Sequence, residues 1–134
     1  MKDFNHKALN CKENKALVYT AMSKNLFYYR MHISKFVLEQ QKIPLNPFMI
    51  FEYFMLDSVD RNVIRNANNN LLMRCDELWV FGSISDGVLA EIKIAKEKNL
   101  MIKYFKIIKS QKIISISKEE VEMEIGLEEY KSEI

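Results

Sequence analysis

The sequence predicts a single α/β domain, three-layered and Rossmann-like or flavodoxin-like, built on a four- to five-stranded, mainly parallel sheet. Two observations carry this. Short, nearly continuous apolar runs, which strands buried on both faces require, alternate with stretches of helical period. Strands alternating with helices demand right-handed crossovers, which set the strands parallel and cover both faces of the sheet. The chain has three glycines and two prolines among its 134 residues, so each break in pattern marks a boundary.

The elements follow in order. Residues 16–22, Ala-Leu-Val-Tyr-Thr-Ala-Met, form the first apolar run. From 23 to about 41 the period becomes helical, with Leu26, Tyr29, Ile33, Phe36 and Val37 recurring at steps of three and four. A short strand is expected at 43–45, closed by Asn46-Pro47. The aromatic-rich stretch 48–56 reads equally as a short helix or a packed loop. Asp57 and Ser58 are N-cap candidates for a helix over 59–74, whose apolar face is Val59, Val63, Ile64, Ala67, Leu71 and Leu72. Residues 77–82 are the clearest strand, followed by Ser83-Ile84-Ser85-Asp86-Gly87 and a helix from 88 to about 99. Residues 101–108 give a fourth strand and 112–116 a further one. Three regions result: a polar segment 1–14, the α/β domain 15–117 and a charged segment 118–134.

Composition excludes several classes. Hydrophobic residues make up 49% of the chain and charged residues 28%, a globular mixture. A net charge of +2, with lysines and glutamates interspersed, gives no footprint for a nucleic acid polymer. Cys11 and Cys75 provide neither metal-ligand spacing nor a disulfide framework, and Cys75, beside an apolar run, reads as a structural thiol. No metal is expected. Residues 1–14 lack the apolar core of a signal peptide, and no apolar run is long enough to span a bilayer, so no membrane partner is expected and the cytoplasm is the default location.

A parallel sheet of this kind binds ligands in the crevice beyond the carboxyl ends of its strands, here after the first and third. Glu91 stands out. Its neighbours one helical turn away, Gly87, Val88, Ile94 and Ala95, carry no charge, whereas Glu97 has Lys93 at such a spacing. A carboxylate on this apolar flank is partly desolvated, which favours a nucleophile or proton carrier; a boundary glutamate that reaches water is an equal reading. Ser83, Ser85 and Gly87 lead into a helix N-terminus, where free amides suit a phosphate or carboxylate, although capping by Ser85 or Asp86 is the commoner use. Asp86 is placed outward. Tyr19 and Ser23 bracket the end of the first strand. Arg61, Arg65, Asn68 and Asn69 share a polar stripe read as exposed, from which Asn68 can reach the crevice. His6 and His32 are read as structural or exposed. There is no Walker pattern and no GxGxxG.

The stretches Tyr19-Thr20-Ala21-Met22-Ser23, Cys75-Asp76-Glu77-Leu78-Trp79-Val80-Phe81-Gly82 and Ser85-Asp86-Gly87-Val88-Leu89-Ala90-Glu91 with Ala95 resemble the nucleoside 2-deoxyribosyltransferase superfamily. Within it, the resemblance is closer to the 2′-deoxynucleoside 5′-monophosphate N-glycosidases. It implies that Glu91 attacks the anomeric carbon, that Tyr19 supports the nucleophile and sugar, and that Ser23 and Ser85 hold a 5′-phosphate. The strand-end rule separately places Met22-Ser23-Lys24-Asn25 and the loop from Gly82 through Ser83 to Gly87 at the ligand edge. The resemblance implies no cofactor, a nucleotide or nucleoside as the small-molecule partner, and a homodimer, for which Phe48, Phe51, Tyr53 and Phe54 would suit either an interface or a core. Two departures stand against it. Asn68 occupies the place of an aspartate that assists departure of the base, and Ala21-Met22 replaces a Gly-rich turn. The resemblance therefore implies an N-glycosidase, with a non-catalytic nucleotide-binding module as the alternative.

Overall fold

Strand β1 (Leu17–Met22) is buried along nearly its whole length, which obliges both of its faces to be covered. In the computed structural model, which describes residues 3–51, 58–109 and 112–134, β1 lies between β2 (Ile43–Leu45) and β3 (Glu77–Phe81), parallel to both. Strand β4 (Met101–Ile108) pairs parallel with β3, and β5 (Lys112–Ile116) pairs antiparallel with β4. The strand order is β2-β1-β3-β4-β5. The chain order thus reverses between β1 and β3, and the loops leaving these two strands diverge to open a crevice. The expected α/β fold and its mainly parallel sheet are both present.

Side-chain alternation divides the core into two layers. On one face, Val18, Met22, Trp79, Phe81 and Phe105 meet Ile33 and Val37 of α1 (Arg30–Glu39). Phe36 of the same helix completes an aromatic cluster, with ring centroids 5.3 Å from Phe105, while Phe105 lies 4.9 Å from Trp79 and 5.0 Å from Phe81. On the other face, Tyr19, Ala21, Leu78 and Val80 meet Leu72 of α3 (Arg61–Met73) and Val88, Leu89, Ile92 and Ala95 of α4 (Asp86–Glu97). Between β2 and α3 lies the short α2 (Pro47–Ile50), capped by the Asn46 side chain. This resolves the beginning of the ambiguous 48–56 stretch as a short helix; Tyr53 and Phe54 lie outside the described residues.

Several boundaries differ from expectation for identifiable reasons. Residues Lys24–Tyr29 form a 3₁₀ turn rather than the first turns of the helix, and α1 begins only at Arg30. Three consecutive aromatics, Phe27, Tyr28 and Tyr29, disfavour regular helix there, and Arg30 holds the tighter turn by donating to the Phe27 carbonyl at 3.0 Å while lying 4.0 Å over its ring. Helix α3 is capped by Asp60, whose carboxylate accepts from the Asn62 N–H at 2.8 Å; Ser58 is exposed and Asp57 lies outside the described residues. The buried stripe of α3 is Ile64 and Leu72, flanked by Ala67, Asn68 and Leu71, while Val59 and Val63 are exposed. A stripe centred on Ile64 and Leu72 passes through Asn68 at the four-residue step, so the helix is rotated from the face that the aliphatic residues alone suggest. Helices α1 and α4 are closed by left-handed residues, Gln41 and Asn99, with φ of 63° and 57°.

Residues 118–134 fold back onto the domain. Val121 and Ile134 are buried in the α3/α4 layer, and Ile84 and Met123 form an isolated parallel bridge. Lys96 donates to the Glu133 carbonyl at 3.0 Å, and Lys131 donates to the Val121 carbonyl. Among the described residues, no helix is long and apolar enough to cross a membrane.

The aromatic cluster ties two strands, β3 and β4, to α1, so Phe105→Ala is expected to lower stability by about 3–5 kcal/mol. Urea denaturation would measure this, and a midpoint unchanged from wild type would refute it.

Candidate functional site

Beyond the carboxyl ends of β1 and β3 lies a cavity of about 520 Å³. Its wall takes Thr20, Ser23 and Lys24 from the end of β1, Phe48 and Phe51 from the α2 region, Arg65 and Asn68 from α3, Ser85, Asp86, Gly87 and Glu91 from the start of α4, and Glu124 from the C-terminal segment. Of the residues singled out from the sequence, Ser23, Asn68, Ser85, Gly87 and Glu91 share this one space. Gly82 and Ser83 do not line it. Gly82 has a backbone role: its φ is +78°, and an added Cβ would come within 2.6 Å of the Leu26 side chain. The residue lets β3 turn sharply against the 3₁₀ segment, which aims the following loop at the cavity.

Glu91 lies one turn inside α4 with its carboxyl at the cavity wall, and it keeps partial access through that space. Burial pushes its pKa from 4.5 up to about 7, and interaction with the Tyr19 hydroxyl pulls the other way. No cation among the described residues pairs with it. Alternation along β1 turns Tyr19 into the same layer as α4, so its hydroxyl faces Glu91 from below the wall. That hydroxyl is buried and makes no hydrogen bond of normal geometry among the described residues, and burial, then the Glu91 charge, raises its pKa. The pair is close enough for each to perturb the other's protonation.

Glu77 is the instructive contrast. It too is buried, at the opposite end of β3, but it accepts from the Trp79 indole at 3.0 Å and from Lys42 at 2.9 Å, with Lys103 at 3.7 Å. Burial acts to raise its pKa, yet the Trp79 and Lys42 hydrogen bonds and the two lysine charges hold it below the usual value. One buried carboxylate is neutralised by its surroundings; Glu91 is left to the cavity. Cys75 behaves as a structural thiol, donating to the Leu71 carbonyl at 3.3 Å, with burial and then the Asp76 charge pushing its pKa up to about 12.

The start of α4 is largely self-satisfied. The Ser85 hydroxyl accepts from the Val88 N–H at 3.3 Å, and the Asp86 carboxylate accepts from the Gly87 N–H at 2.8 Å. Capping thus uses amides that an anion would otherwise take. Asp86 is exposed, as expected, although it contributes to the cavity rim. Positive charge comes instead from Lys24 and Arg65, both on the wall. The strand-end rule puts Lys24 at this edge without distinguishing it, since a lone lysine after a strand carries no signal.

Four buried polar atoms in or beside this space have no hydrogen-bond partner among the described residues: the Tyr19 hydroxyl, Thr20 Oγ1, Asn68 Oδ1 and Glu124 Oε2. Buried polar atoms are ordinarily satisfied, so such a concentration at one cavity marks a place that a ligand completes. Asn68 points inward because it occupies the α3 stripe between Ile64 and Leu72. Glu124 was invisible to pattern reading because its position depends on a long-range pairing: the Ile84 N–H donates to the Glu122 carbonyl at 2.9 Å, and the Glu124 N–H donates to the Ile84 carbonyl at 3.0 Å. Among the described residues, no group of three or more histidine, cysteine, aspartate or glutamate side chains is arranged to hold a metal ion.

Comparison with known proteins adds to this geometry. No functionally curated protein matches the chain. Among solved structures it is similar to a 2-desoxiribosyltransferase from Leishmania mexicana, with a TM-score of 0.54 and 17% identity, covering 69% of this chain and 65% of that one. At such identity the likeness is one of fold, and the chain spans less than two thirds of that protein's length. Residues 18–105, from β1 through most of β4 and including every lining residue named above except Glu124, match the family described as a domain of unknown function, DUF7768. The chain belongs to the DUF7768 family.

Proposed function

We propose that the protein is an N-glycosidase that cleaves the base–sugar bond of a nucleoside 5′-monophosphate or a related nucleotide, with Glu91 as nucleophile. The observation that carries this reading is the Glu91 carboxyl itself: without a countercharge among the described residues, desolvated, and set on a cavity wall against the Tyr19 hydroxyl. The fold likeness to a deoxyribosyltransferase and the Ser-x-Gly-x-x-x-Glu arrangement of Ser85, Gly87 and Glu91 support it.

In this reading the Glu91 carboxylate attacks the anomeric carbon as the carbon–nitrogen bond breaks, and the bonding electrons leave with the base. The transition state resembles an oxocarbenium ion, which an adjacent anion stabilises and then traps as a glycosyl ester. Water hydrolyses the ester and regenerates the carboxylate. Tyr19 positions the carboxylate and the sugar. Ser23, Ser85, Lys24 and Arg65 meet the phosphate, and Asn68 orients the base. A second reading, a binding module without turnover, is favoured by Asn68 alone, because an amide cannot protonate a departing base. A missing general acid costs ~10²–10⁴-fold rather than all activity.

Replacing the nucleophile is the direct test. Glu91→Gln is expected to reduce release of free base from a nucleotide panel by about 10³-fold or more, followed by chromatography. Equal release by wild type and variant would exclude the mechanism, and binding without any release by wild type would favour the second reading.

Protonation gives an independent check. The Glu91 proton is held more tightly in the folded chain, with a pKa of about 7 against 4.5, so between these values the folded state carries more protons than the unfolded one. Stability due to this residue is therefore complete below about pH 4.5 and is lost as pH rises through 7. Activity follows the ionised form and rises across the upper part of the same window. At pH 8, Glu91→Gln is expected to be more stable than wild type by about 1–3 kcal/mol, with the difference vanishing near pH 4. Denaturation at the two pH values measures it, and a pH-independent difference would contradict it.

Lys24 tests the phosphate contact. Lys24→Ala should raise KM for a nucleoside monophosphate by about 10-fold with little change for the free nucleoside, as expected for loss of a charge-assisted hydrogen bond. Parallel steady-state kinetics on the two substrates would show whether the effects differ.

A further inference from the structure

We infer that Glu124, delivered by the C-terminal segment, is a ligand-binding residue that accepts a hydrogen bond from a sugar hydroxyl. It rests on the proposed reading in one respect, that the ligand carries a sugar. Three features of the fold lead to it. First, Glu124 Oε2 is buried without a partner among the described residues, although the residue lines the cavity. A carboxylate oxygen has only acceptor capacity when ionised, so what completes it must be an O–H or N–H donor. Second, the side chain is held in place by its own backbone. The Glu122 carbonyl and the Glu124 N–H bracket Ile84 at 2.9 and 3.0 Å, extending the end of β3 by one bridge to Met123. Ile84 is itself fully buried, and Val121 and Ile134 anchor the segment on either side in the α3/α4 layer. This arrangement orders the residue before any ligand arrives, which reduces the entropy lost on binding.

Third, placement favours a sugar hydroxyl over a base donor. Glu91 lies one turn into the helix that the Ile84 loop starts, so Glu91 and Glu124 are both positioned by the β3–α4 connection. In this reading a ligand whose anomeric carbon meets Glu91 turns its sugar toward Glu124, and Asn68, on the same cavity but carried by α3, takes the base. The negative charge of Glu124 also makes it a poor neighbour for phosphate, for which the wall offers Lys24 and Arg65. The segment 118–134 thus contributes to the site within one chain, through an acidic residue that discriminates ligands by their hydroxyl pattern.

The test is equilibrium binding, which needs no turnover. Adenosine 5′-monophosphate and its 2′-deoxy and 3′-deoxy counterparts, with the matching guanosine series, are titrated into wild type and Glu124→Ala by calorimetry. The expected result is a loss of affinity of about 10- to 100-fold on substitution for ligands that carry the contacted hydroxyl, and no loss for the one analogue that lacks it. Glu124→Gln, which keeps an acceptor oxygen, should recover part of the loss, and matched melting curves confirm that the backbone docking survives. Equal weakening for every ligand, or none for any, would overturn the assignment. Wild-type binding with no release of base would retire the glycosidase while the Glu124 pattern still decides its own case. A wild-type chain that binds none of these ligands overturns both.

Discussion

The site depends on one constraint of sheet geometry: β1 is paired on both edges, so its alternate side chains must serve two different layers. Tyr19 and Ala21 face α3 and α4, while Val18 and Met22 face α1. A slip of one residue would exchange these sets, placing a tyrosine hydroxyl in the aromatic layer and removing it from Glu91. The register is secured at the strand's beginning, where Asp76 accepts from the Leu17 N–H at 2.7 Å and donates its own N–H to the Leu17 carbonyl at 2.8 Å. The Asp76 clamp and the Tyr19–Glu91 pair are thus the two ends of one alignment. What sets the chemistry at the crevice is fixed some distance away, at the edge where the strands begin.

Glu91 and Glu77 show that burial alone does not define a functional carboxylate. Both are removed from bulk water, but the stabilising groups differ. Trp79, Lys42 and Lys103 surround Glu77 and favour its charge, which binds β2, β3 and β4 together. Among the described residues Glu91 has one interacting hydroxyl, that of Tyr19, itself buried, and its charged form is costly in the folded state. A chain selected only for stability would place a neutral side chain there. Keeping such a carboxyl at a cavity wall imposes a free-energy cost that the rest of the α3/α4 core must offset, and this is the arrangement expected where ionisation at neutral pH is useful.

Much of this was legible in local pattern. The five strands were visible because each is a short apolar run, and Glu91 because its helical neighbours lack charge. Ser85 and Gly87 were visible as a cap and its following turn. Other features were not, for physical reasons. The direction of α3 was misjudged because Val59 and Val63 are aliphatic yet exposed, and the true inner stripe passes through Asn68; periodicity identifies a face but cannot say that a polar residue belongs inside it. Gly82 looked like part of a ligand loop because its demand for a left-handed backbone is not written in its neighbours. Glu124 was beyond reach, since only the pairing of Met123 with Ile84, many residues earlier, brings it to the cavity.

That last pairing changes how the charged segment is understood. Its lysines and glutamates are spaced as on any solvated surface, and its exposed ion pair, Lys93 with Glu133 at 2.6 Å, contributes little to stability. The work of docking falls to its few apolar residues and to backbone hydrogen bonds, since Val121 and Ile134 are buried whereas Ile125 is almost wholly exposed. A segment held at both ends by buried side chains, with its intervening backbone paired to the loop that begins α4, is constrained to present Glu124 at one height above the sheet. The same loop is aimed by Gly82 and capped by Ser85. Changes to the C-terminal segment are therefore transmitted to the start of α4, and so to Glu91, through the backbone pairing at Ile84.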